Sequence, residues 1–254
     1  MDFTLNAYKN YIKAIKSSCS NIYRFDEYLL ADNKPGSFCI IRHDVDRRPK
    51  KALDMARLEN ELGIKASYYF RTKSHVFLPE IIKQVSALGH EIGYHYECLS
   101  DMKGDIPQAV KEFEKKLAKM QKIAEIMTIA MHGSPLSRFN NLDLWRDEDQ
   151  RKILRERFGI AGEVYLDVDY TDIFYITDTG RNWSPSRSNK RDRVNSKSNL
   201  NLKNGDDLLQ FFKKAKSKKI VFQVHPERWS KSLTEHIFYA SGDYAANMIK
   251  RIIA

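Results

Sequence analysis

The chain has 254 residues, a length that suits one α/β domain with a sizeable core. Charged residues make up 30% and hydrophobic residues 42% of the total, so the composition is that of an ordinary soluble globular protein. The formal net charge of +10 favours an acidic partner such as a phosphate-bearing substrate, although a lysine-rich solvated surface is the simpler explanation.

The sequence gives no sign of export or membrane insertion. No stretch approaches the length of an apolar membrane span, and the first residues lack the apolar core of a signal peptide. Cys19, Cys39 and Cys98 show no CxxC spacing, which argues against a disulfide framework. We therefore expect a cytoplasmic protein without a transmembrane segment.

Helical and strand patterns alternate along the chain. Residues 5–30 have apolar side chains at helical spacing and predict a leading helical segment. A short apolar run over 37–42 predicts a buried strand, and residues 48–62 predict a helix that begins near Pro49. Further strands are predicted over 66–71, 91–96, 126–131, 163–168, 172–177 and 220–224, and further helices over 79–88, 105–124, 145–158, 205–218 and 240–253. This alternation is typical of βαβ units and a parallel sheet.

One long segment breaks the alternation. Residues 184–202 are polar and basic with little periodicity, which predicts a surface loop. No composition shift marks a domain boundary, so we expect a single domain over 1–254, with 1–36 as an N-terminal helical extension.

Polar clusters follow five of the predicted strands. They are His43-Asp44-Val45-Asp46, Arg71, His95-Tyr96-Glu97, His132-Gly133-Ser134-Pro135 and His225-Pro226. The carboxyl ends of parallel strands share one face, where active sites of α/β folds lie. Imidazoles and carboxylates at one mouth have the composition of a metal site.

These residues also have purely structural explanations. Asp44 and Asp46 could cap the helix that begins near residue 48, because aspartate is favoured at helix starts. His95 could be a satisfied core histidine at the end of an apolar strand. Strand alternation places Asp44 and Asp46 on one side and His43 on the other, so His43 is assigned to packing.

Three stretches carry a family resemblance. They are IIRHDVD over 40–46, LGHEIGYHYE over 88–97 and VHP over 224–226. Their order and spacing resemble the polysaccharide deacetylase (NodB-homology) superfamily, also called carbohydrate esterase family 4, across about residues 38–230. The resemblance implies a deformed (β/α) barrel of about seven parallel strands. It also implies metal-dependent hydrolysis of an N-acyl group, typically N-acetyl, on an amino sugar or glycan precursor.

The resemblance implies roles for residues at the matching positions. It makes Asp44 the general base, His225 the catalytic acid and His95 a metal ligand. The family's metal-binding aspartate aligns with Val45, so strand alternation moves that role to Asp46. The second histidine of the family aligns with Leu99, which cannot bind metal, so this chain resembles a divergent branch.

The third metal ligand and the substrate contacts stay open at this point. His132 is the first candidate for the ligand and Glu97 the second; Glu97 is also a candidate substrate-binding residue. Arg71 and Arg181 could bind a substrate phosphate or carboxylate, or form structural salt bridges. Trp183 could stack on a sugar ring. Zinc suits the His and Asp donors, and iron, cobalt or nickel would also fit.

Three other functions compete with this interpretation. Another C–N bond could be cleaved in the same barrel, as in cyclic-amide or allantoinase-like hydrolases. Val45 and Leu99 at ligand positions would also suit an inactive carbohydrate-binding relative. Specific nucleic-acid binding is not expected, because the basic residues are scattered and match no recognition motif.

Overall fold

A computed structural model describes residues 2–183, 191, 193–196, 200–232 and 234–239 of the chain. The helix predicted over 240–253 and much of the loop predicted over 184–202 lie outside the described residues. The cysteines Cys19, Cys39 and Cys98 are free and buried.

The centre of the fold is a parallel β-sheet. Its strands are β1 (Ile22–Tyr23), β2 (Phe38–Val45), β3 (Ser67–Phe70), β4 (Glu91–Tyr96), β5 (Thr128–Met131), β6 (Gly162–Glu163), β7 (Phe174–Thr177) and β8 (Lys219–Val224). The strand order is β6-β5-β4-β3-β2-β8-β7, with β1 paired to β2. All pairs formed among these strands are parallel. Seven parallel strands in this order, with β1 as an eighth beside β2, form a half-barrel with flanking helices, which confirms the predicted fold class.

Helices surround the sheet. They are α1 (Leu5–Ser18), α2 (Phe25–Leu30), α3 (Pro49–Glu61), α4 (Pro79–Ala87), α5 (Cys98–Asp101), α6 (Ile106–Gln121), α7 (Asp143–Arg146), α8 (Glu148–Phe158) and α9 (Gly205–Lys213), with 3-10 helices at Thr179–Arg181 and Pro226–Arg228. Of the helices in the described ranges, none combines the length and apolar character needed to cross a bilayer.

The predicted leading helix over 5–30 is interrupted. After α1 the backbone becomes extended at Cys19, and β1 pairs with β2 through Ile22 and Cys39. Asn21 O accepts a hydrogen bond from Cys39 N at 2.9 Å. The helix stops there because β2 offers backbone partners that a helical turn would leave unpaired.

Two later elements also differ from the prediction. The helix over 145–158 is divided at Asp147, whose backbone is extended and whose side chain accepts from Gln150 N to cap α8. The strand over 163–168 is reduced to Gly162–Glu163. There Asp167 N donates to Glu163 O and Asp167 Oδ2 accepts from Glu163 N, so the chain turns instead of extending.

One buried carboxylate joins the helical layer to the sheet. Glu59 on α3 is fully buried and accepts hydrogen bonds from the hydroxyls of Tyr8 on α1 and Tyr68 on β3. Its Oε1 also lies 2.7 Å from Nε2 of His43 on β2. His43 and Asp44 are neighbours in β2, so their side chains point to opposite faces of the sheet. The network holds β2 on the face of His43, and Asp44 points to the other face.

We expect Glu59→Ala to lower the free energy of unfolding by about 3 kcal/mol or more, because it leaves buried polar groups without their acceptor. Urea unfolding followed by circular dichroism measures the change. Glu61→Ala, at the exposed end of the same helix, is the matched control and should differ little from wild type. Equal stabilities of the two variants would contradict the central role of Glu59.

Candidate active site

The carboxyl ends of β2, β4, β5 and β8 bring five predicted site residues together at one edge of the sheet, which we call the mouth. Asp44 lies near the end of β2 and Asp46 just beyond it; His95 lies on β4, His132 follows β5 and His225 follows β8. His95 Nε2 is 3.3 Å from Asp46 Oδ1 and 3.7 Å from Asp44 Oδ2. His132 Nε2 is 3.5 Å from the same Asp46 oxygen. The parallel register therefore assembles groups that are up to about 180 residues apart in sequence.

Asp44 is a fixed, ionised carboxylate. Arg42 on the same strand face donates from Nε to Oδ1 at 2.8 Å and from Nη2 to Oδ2 at 2.6 Å. Gln223 Nε2 on β8 donates to Oδ2 at 3.0 Å. Burial acts to raise the pKa of Asp44, but Arg42 and His95 outweigh it and lower that pKa. The carboxylate is therefore deprotonated and held in one orientation at neutral pH.

His95 presents one ring nitrogen to the mouth. Its Nδ1 lies 2.9 Å from Ala130 O, and a carbonyl can only accept, so Nδ1 carries a proton. Nε2 then faces Asp46. Burial acts to lower the pKa of His95, but the carboxylates of Asp44 and Asp46 outweigh it and raise that pKa.

His132 is oriented by a second carboxylate, that of Glu97. His132 Nδ1 lies 3.0 Å from Ser134 Oγ and 3.3 Å from Glu97 Oε2, while Nε2 faces Asp46. Arg71 donates two hydrogen bonds to the Glu97 carboxylate, from Nε at 3.0 Å and from Nη2 at 2.7 Å. Burial acts to raise the pKa of Glu97, but the hydrogen bonds from His132 and Arg71 lower it. Glu97 thus lies behind His132 as its orienting partner.

His225 is paired with a buried aspartate that the sequence did not assign. Its Nδ1 lies 2.6 Å from Asp178 Oδ1, and its backbone N donates to Asp178 Oδ2 at 3.0 Å. Trp229 Nε1 also donates to Asp178 Oδ2. Burial and Arg228 act to lower the pKa of His225, but Asp178 outweighs them and raises it to about 9. The imidazole therefore carries a proton at neutral pH.

Asp46 is the group that best fits a cation. Its Oδ1 is buried and, within the described residues, has no hydrogen-bond partner, although two imidazole nitrogens lie within 3.5 Å. Burial acts to raise the pKa of Asp46, but His132 and His95 hold it well below its usual value. One carboxylate and two imidazoles form a donor set that suits a divalent transition metal. In the part of the chain that the structure describes, no three His, Cys, Asp or Glu side chains stand in an arrangement that could hold a metal ion.

A further carboxylate, Glu227, follows His225 by two residues. Glu227 is 1% exposed, and its Oε1 lies 3.8 Å from Arg47 Nη2, beyond hydrogen-bond distance. Its Oε2 is buried and has no hydrogen-bond partner among the described residues. Burial, followed by repulsion from Asp46, raises the pKa of Glu227 to about 7.

The predicted substrate contacts are dispersed. Arg71 is engaged by Glu97, which matches the salt-bridge alternative. Arg181 ends a 3-10 helix with its guanidinium carbon 5.5 Å from the centre of the Phe3 ring. Trp183 is 5% exposed, and its ring stacks on Phe3 at 5.0 Å. A sugar ring cannot stack on the face that Phe3 covers.

Arg42, Gln223 and Asp178 contact the predicted site residues but were not themselves predicted. A usable signal was present for the first two, because each lies two residues before a predicted catalytic residue on the same strand face. Gln223 Nε2 donates to Asp44 Oδ2 at 3.0 Å and lies 3.4 Å from His225 Nε2, where two N–H groups do not hydrogen-bond to each other when the imidazole is protonated. Asp178 has the same position as the five predicted polar clusters, because it directly follows the apolar strand β7.

Comparison with known proteins gives structural similarities at low sequence identity. No family model and no curated protein sequence matches the chain. A carbohydrate esterase family 4 pseudoenzyme from Bacillus anthracis is 12% identical with a TM-score of 0.45, covering 82% of this chain and 60% of its own. A mutant of that pseudoenzyme with restored enzymatic activity is 10% identical with a TM-score of 0.44, covering 84% of this chain and 62% of its own.

A candidate polysaccharide deacetylase from Mycobacterium smegmatis is also similar. It is 13% identical with a TM-score of 0.48, and the match covers 88% of this chain and 92% of that one. The chain thus spans less than two thirds of the length of the two pseudoenzyme structures but most of the mycobacterial one. At such identities no residue role passes from these proteins to this chain, whose chemistry rests on its own side chains.

We expect Asp178→Asn to lower the pKa of His225 from about 9 toward the ordinary value for histidine, because the imidazolium loses its carboxylate partner. Histidine NMR titration of the metal-free protein measures this directly. Asp172→Asn removes an exposed carboxylate at the opposite end of β7 and serves as the control. An unchanged His225 titration in Asp178→Asn would contradict the pairing.

Proposed function

We propose that the protein is a metal-dependent hydrolase that removes an N-acyl group, typically N-acetyl, from an amino sugar or a sugar-linked precursor. One observation carries the proposal. Asp46 Oδ1 is buried without a donor beside two imidazoles, and a fixed carboxylate and a protonated imidazole lie at the same mouth. This set supplies a cation site, a base and an acid.

Asp46, His95 and His132 would hold the cation. The hydrogen bond from His95 Nδ1 to Ala130 O and the contact of His132 Nδ1 with Glu97 leave both Nε2 atoms for the metal. When bound, a divalent ion supplies Lewis-acid polarisation of the acyl oxygen and acidifies a water molecule. Zinc fits these donors best, with iron, cobalt and nickel as alternatives.

Asp44 acts as the general base. Arg42 and Gln223 fix the carboxylate, so it accepts a proton from the attacking water without reorienting. Each carboxylate oxygen has two lone pairs, and Oδ1 uses one of them for Arg42, so one remains for the water. The water oxygen then forms the new bond to the acyl carbon.

His225 acts as the general acid. As the C–N bond breaks, the leaving nitrogen takes a proton from Nε2, and the products are a carboxylic acid and a free amine. Asp178 stabilises the imidazolium until that step and fixes the ring through Nδ1. A protonated imidazole suits an amine leaving group, which departs poorly without a proton.

The substrate class rests on the sequence motifs over 40–46, 88–97 and 224–226 and on the hydrolytic set of residues. A phosphate-bearing sugar would use the basic character of the chain, whose net charge is +10. The cytoplasmic location and the single domain over 1–254 stay predictions.

We expect the purified wild type to bind a divalent metal stoichiometrically after metal loading, and Asp46→Ala to lose most of it, because that variant removes the central oxygen donor. Elemental analysis after desalting measures the content. Asp44→Asn is the matched control and should retain metal. If wild type and Asp46→Ala are both metal-free, the proposal fails, and an inactive carbohydrate-binding relative becomes the better explanation.

We expect Asp44→Asn to lower kcat by about 10²-fold or more while leaving metal content unchanged, because an amide cannot take the proton of the water. Release of acetate from a panel of N-acetylated amino sugars measures turnover. Cyclic amides in the same panel test the alternative C–N hydrolase. Full activity of Asp44→Asn would contradict the base assignment.

A further inference from the structure

The segment that follows β5 is held in an unusual conformation. We call residues 133–141 the β5 loop; they form neither a helix nor a strand. Ser134, two residues after His132, has a φ of 41°, in the left-handed region that favours glycine. A serine keeps such a conformation only where the surrounding contacts hold it, and two side chains supply those contacts.

The first of these side chains is Arg191, which is half-buried. Its guanidinium contacts four backbone carbonyl oxygens of the β5 loop. Nη1 lies 2.8 Å from that of Gly133, 3.0 Å from that of Ser134 and 2.7 Å from that of Phe139, and Nη2 donates to that of Ser137. The carbonyls of Gly133 and Ser134 belong to the two peptide groups on either side of the Ser134 Cα atom. Arg191 therefore fixes both φ and ψ of Ser134 through charge-assisted hydrogen bonds.

The second is Asn141, whose amide is fully buried. Its Nδ2 donates to His132 O at 2.7 Å and to Ser134 Oγ at 3.0 Å. Its Oδ1 accepts from Ser100 N at 2.8 Å and from Ser100 Oγ at 3.0 Å. A carbonyl oxygen can only accept and a backbone N–H can only donate, so these partners fix the orientation of the amide and make Ser134 Oγ an acceptor. Ser100 lies in α5, directly after Glu97, so Asn141 also ties the β5 loop to the segment that carries that carboxylate.

Both sets of contacts meet at the imidazole of His132. Ser134 Oγ lies 3.0 Å from His132 Nδ1, and Glu97 Oε2 lies 3.3 Å from the same nitrogen. A carboxylate can only accept, so Nδ1 carries a proton, and Ser134 Oγ accepts it with its second lone pair. In the neutral ring, Nε2 then holds the lone pair and faces Asp46 Oδ1 at 3.5 Å. The direction of the ring depends on where the β5 loop places Ser134.

We propose that Arg191 is a positioning residue for His132. By fixing the backbone at Ser134 it holds Ser134 Oγ against His132 Nδ1, and so it fixes the direction of the ring and its Nδ1–H tautomer. Arg191 acts through the β5 loop and not by contact with the reacting groups. The inference rests on the proposed function only in that His132 belongs to the active site.

Chemical rescue in the metal-free protein tests the inference. Long-range ¹H–¹⁵N NMR spectra report the two ring nitrogens of His132, and His132→Gln assigns their signals. We expect Arg191→Ala to shift both signals, because the released loop lets the Nε2–H tautomer become populated. Guanidinium chloride, far below the concentrations that unfold proteins, should restore the wild-type signals, because the free ion binds the carbonyls that Arg191 leaves. Sodium chloride at the same ionic strength should not restore them.

Two substitutions within the β5 loop serve as controls. Arg138→Ala removes the same charge, but Arg138 is exposed and lies over the Phe139 ring, so the His132 signals should stay at their wild-type positions. Ser134→Ala removes only the hydroxyl that meets His132. It should shift the signals as Arg191→Ala does, and guanidinium should not restore them.

A purely stabilising role for Arg191 gives a different pattern. Arg191→Ala would then unfold at lower urea concentration and leave the His132 signals unchanged, and that result would overturn the inference. Rescue by sodium chloride equal to that by guanidinium would also overturn it. If Arg191→Ala does not fold, Arg191→Lys decides, because it keeps the charge and replaces the planar fork by one ammonium group. The His132 signals should shift in that variant too, and unchanged signals reject the role.

Failure of the positioning role is distinguishable from failure of the proposed function. The NMR measurement needs neither metal nor substrate, so unchanged His132 signals reject the positioning role alone. If the wild type releases acetate from N-acetylated amino sugars, we expect Arg191→Ala to lower kcat by about tenfold or more and guanidinium to restore it. If the wild type neither binds a divalent metal nor releases acetate, the proposed function is rejected, and the NMR result still decides the role of Arg191.

Discussion

The need to compensate buried carboxylates governs the arrangement of this mouth. An ionised carboxylate removed from water is destabilising by several kcal/mol unless a cation or several donors face it. Arg42 meets that need for Asp44, Arg71 for Glu97, and His225 with Arg228 for Asp178. Each pairing also immobilises the carboxylate or imidazole that the proposed chemistry uses. The oxygen of Asp46 that remains without a donor supports the proposed metal site.

The pairings divide the mouth into two sides. On one side, Asp46, His95 and His132 face one another, with Ala130 O and Glu97 orienting the two rings. On the other side, Gln223 lies between Asp44 and His225, so one amide is next to both the proposed base and the proposed acid. In the proposed mechanism, a substrate carbonyl beside Asp46 would have Asp44 and His225 next to it, which is the arrangement that acyl hydrolysis requires.

Opposite pKa shifts separate the roles proposed for Asp44 and His225. Arg42 and His95 lower the pKa of Asp44, which keeps the carboxylate deprotonated, and Asp178 raises the pKa of His225 to about 9, which keeps the imidazole protonated. At neutral pH the proposed base is thus deprotonated and the proposed acid is protonated. The network around Glu59 supports this from the other face of β2, because it fixes His43 and with it the direction of the neighbouring Asp44.

The sequence by itself determined the parallel α/β architecture, most strand and helix positions and the convergence of Asp44, Asp46, His95, His132 and His225. Periodicity and the shared edge of parallel strands are local and topological rules, so one sequence suffices for them. Tertiary structure alone decided that β1 interrupts the first helix, that Glu97 lies behind His132, and that Trp183 is covered by Phe3. It also decided that Arg42 and Asp178 are the partners of Asp44 and His225, and that Glu227 has a buried oxygen without one. Partner choice depends on side-chain distances between segments far apart in the chain, and periodicity carries no information about those distances.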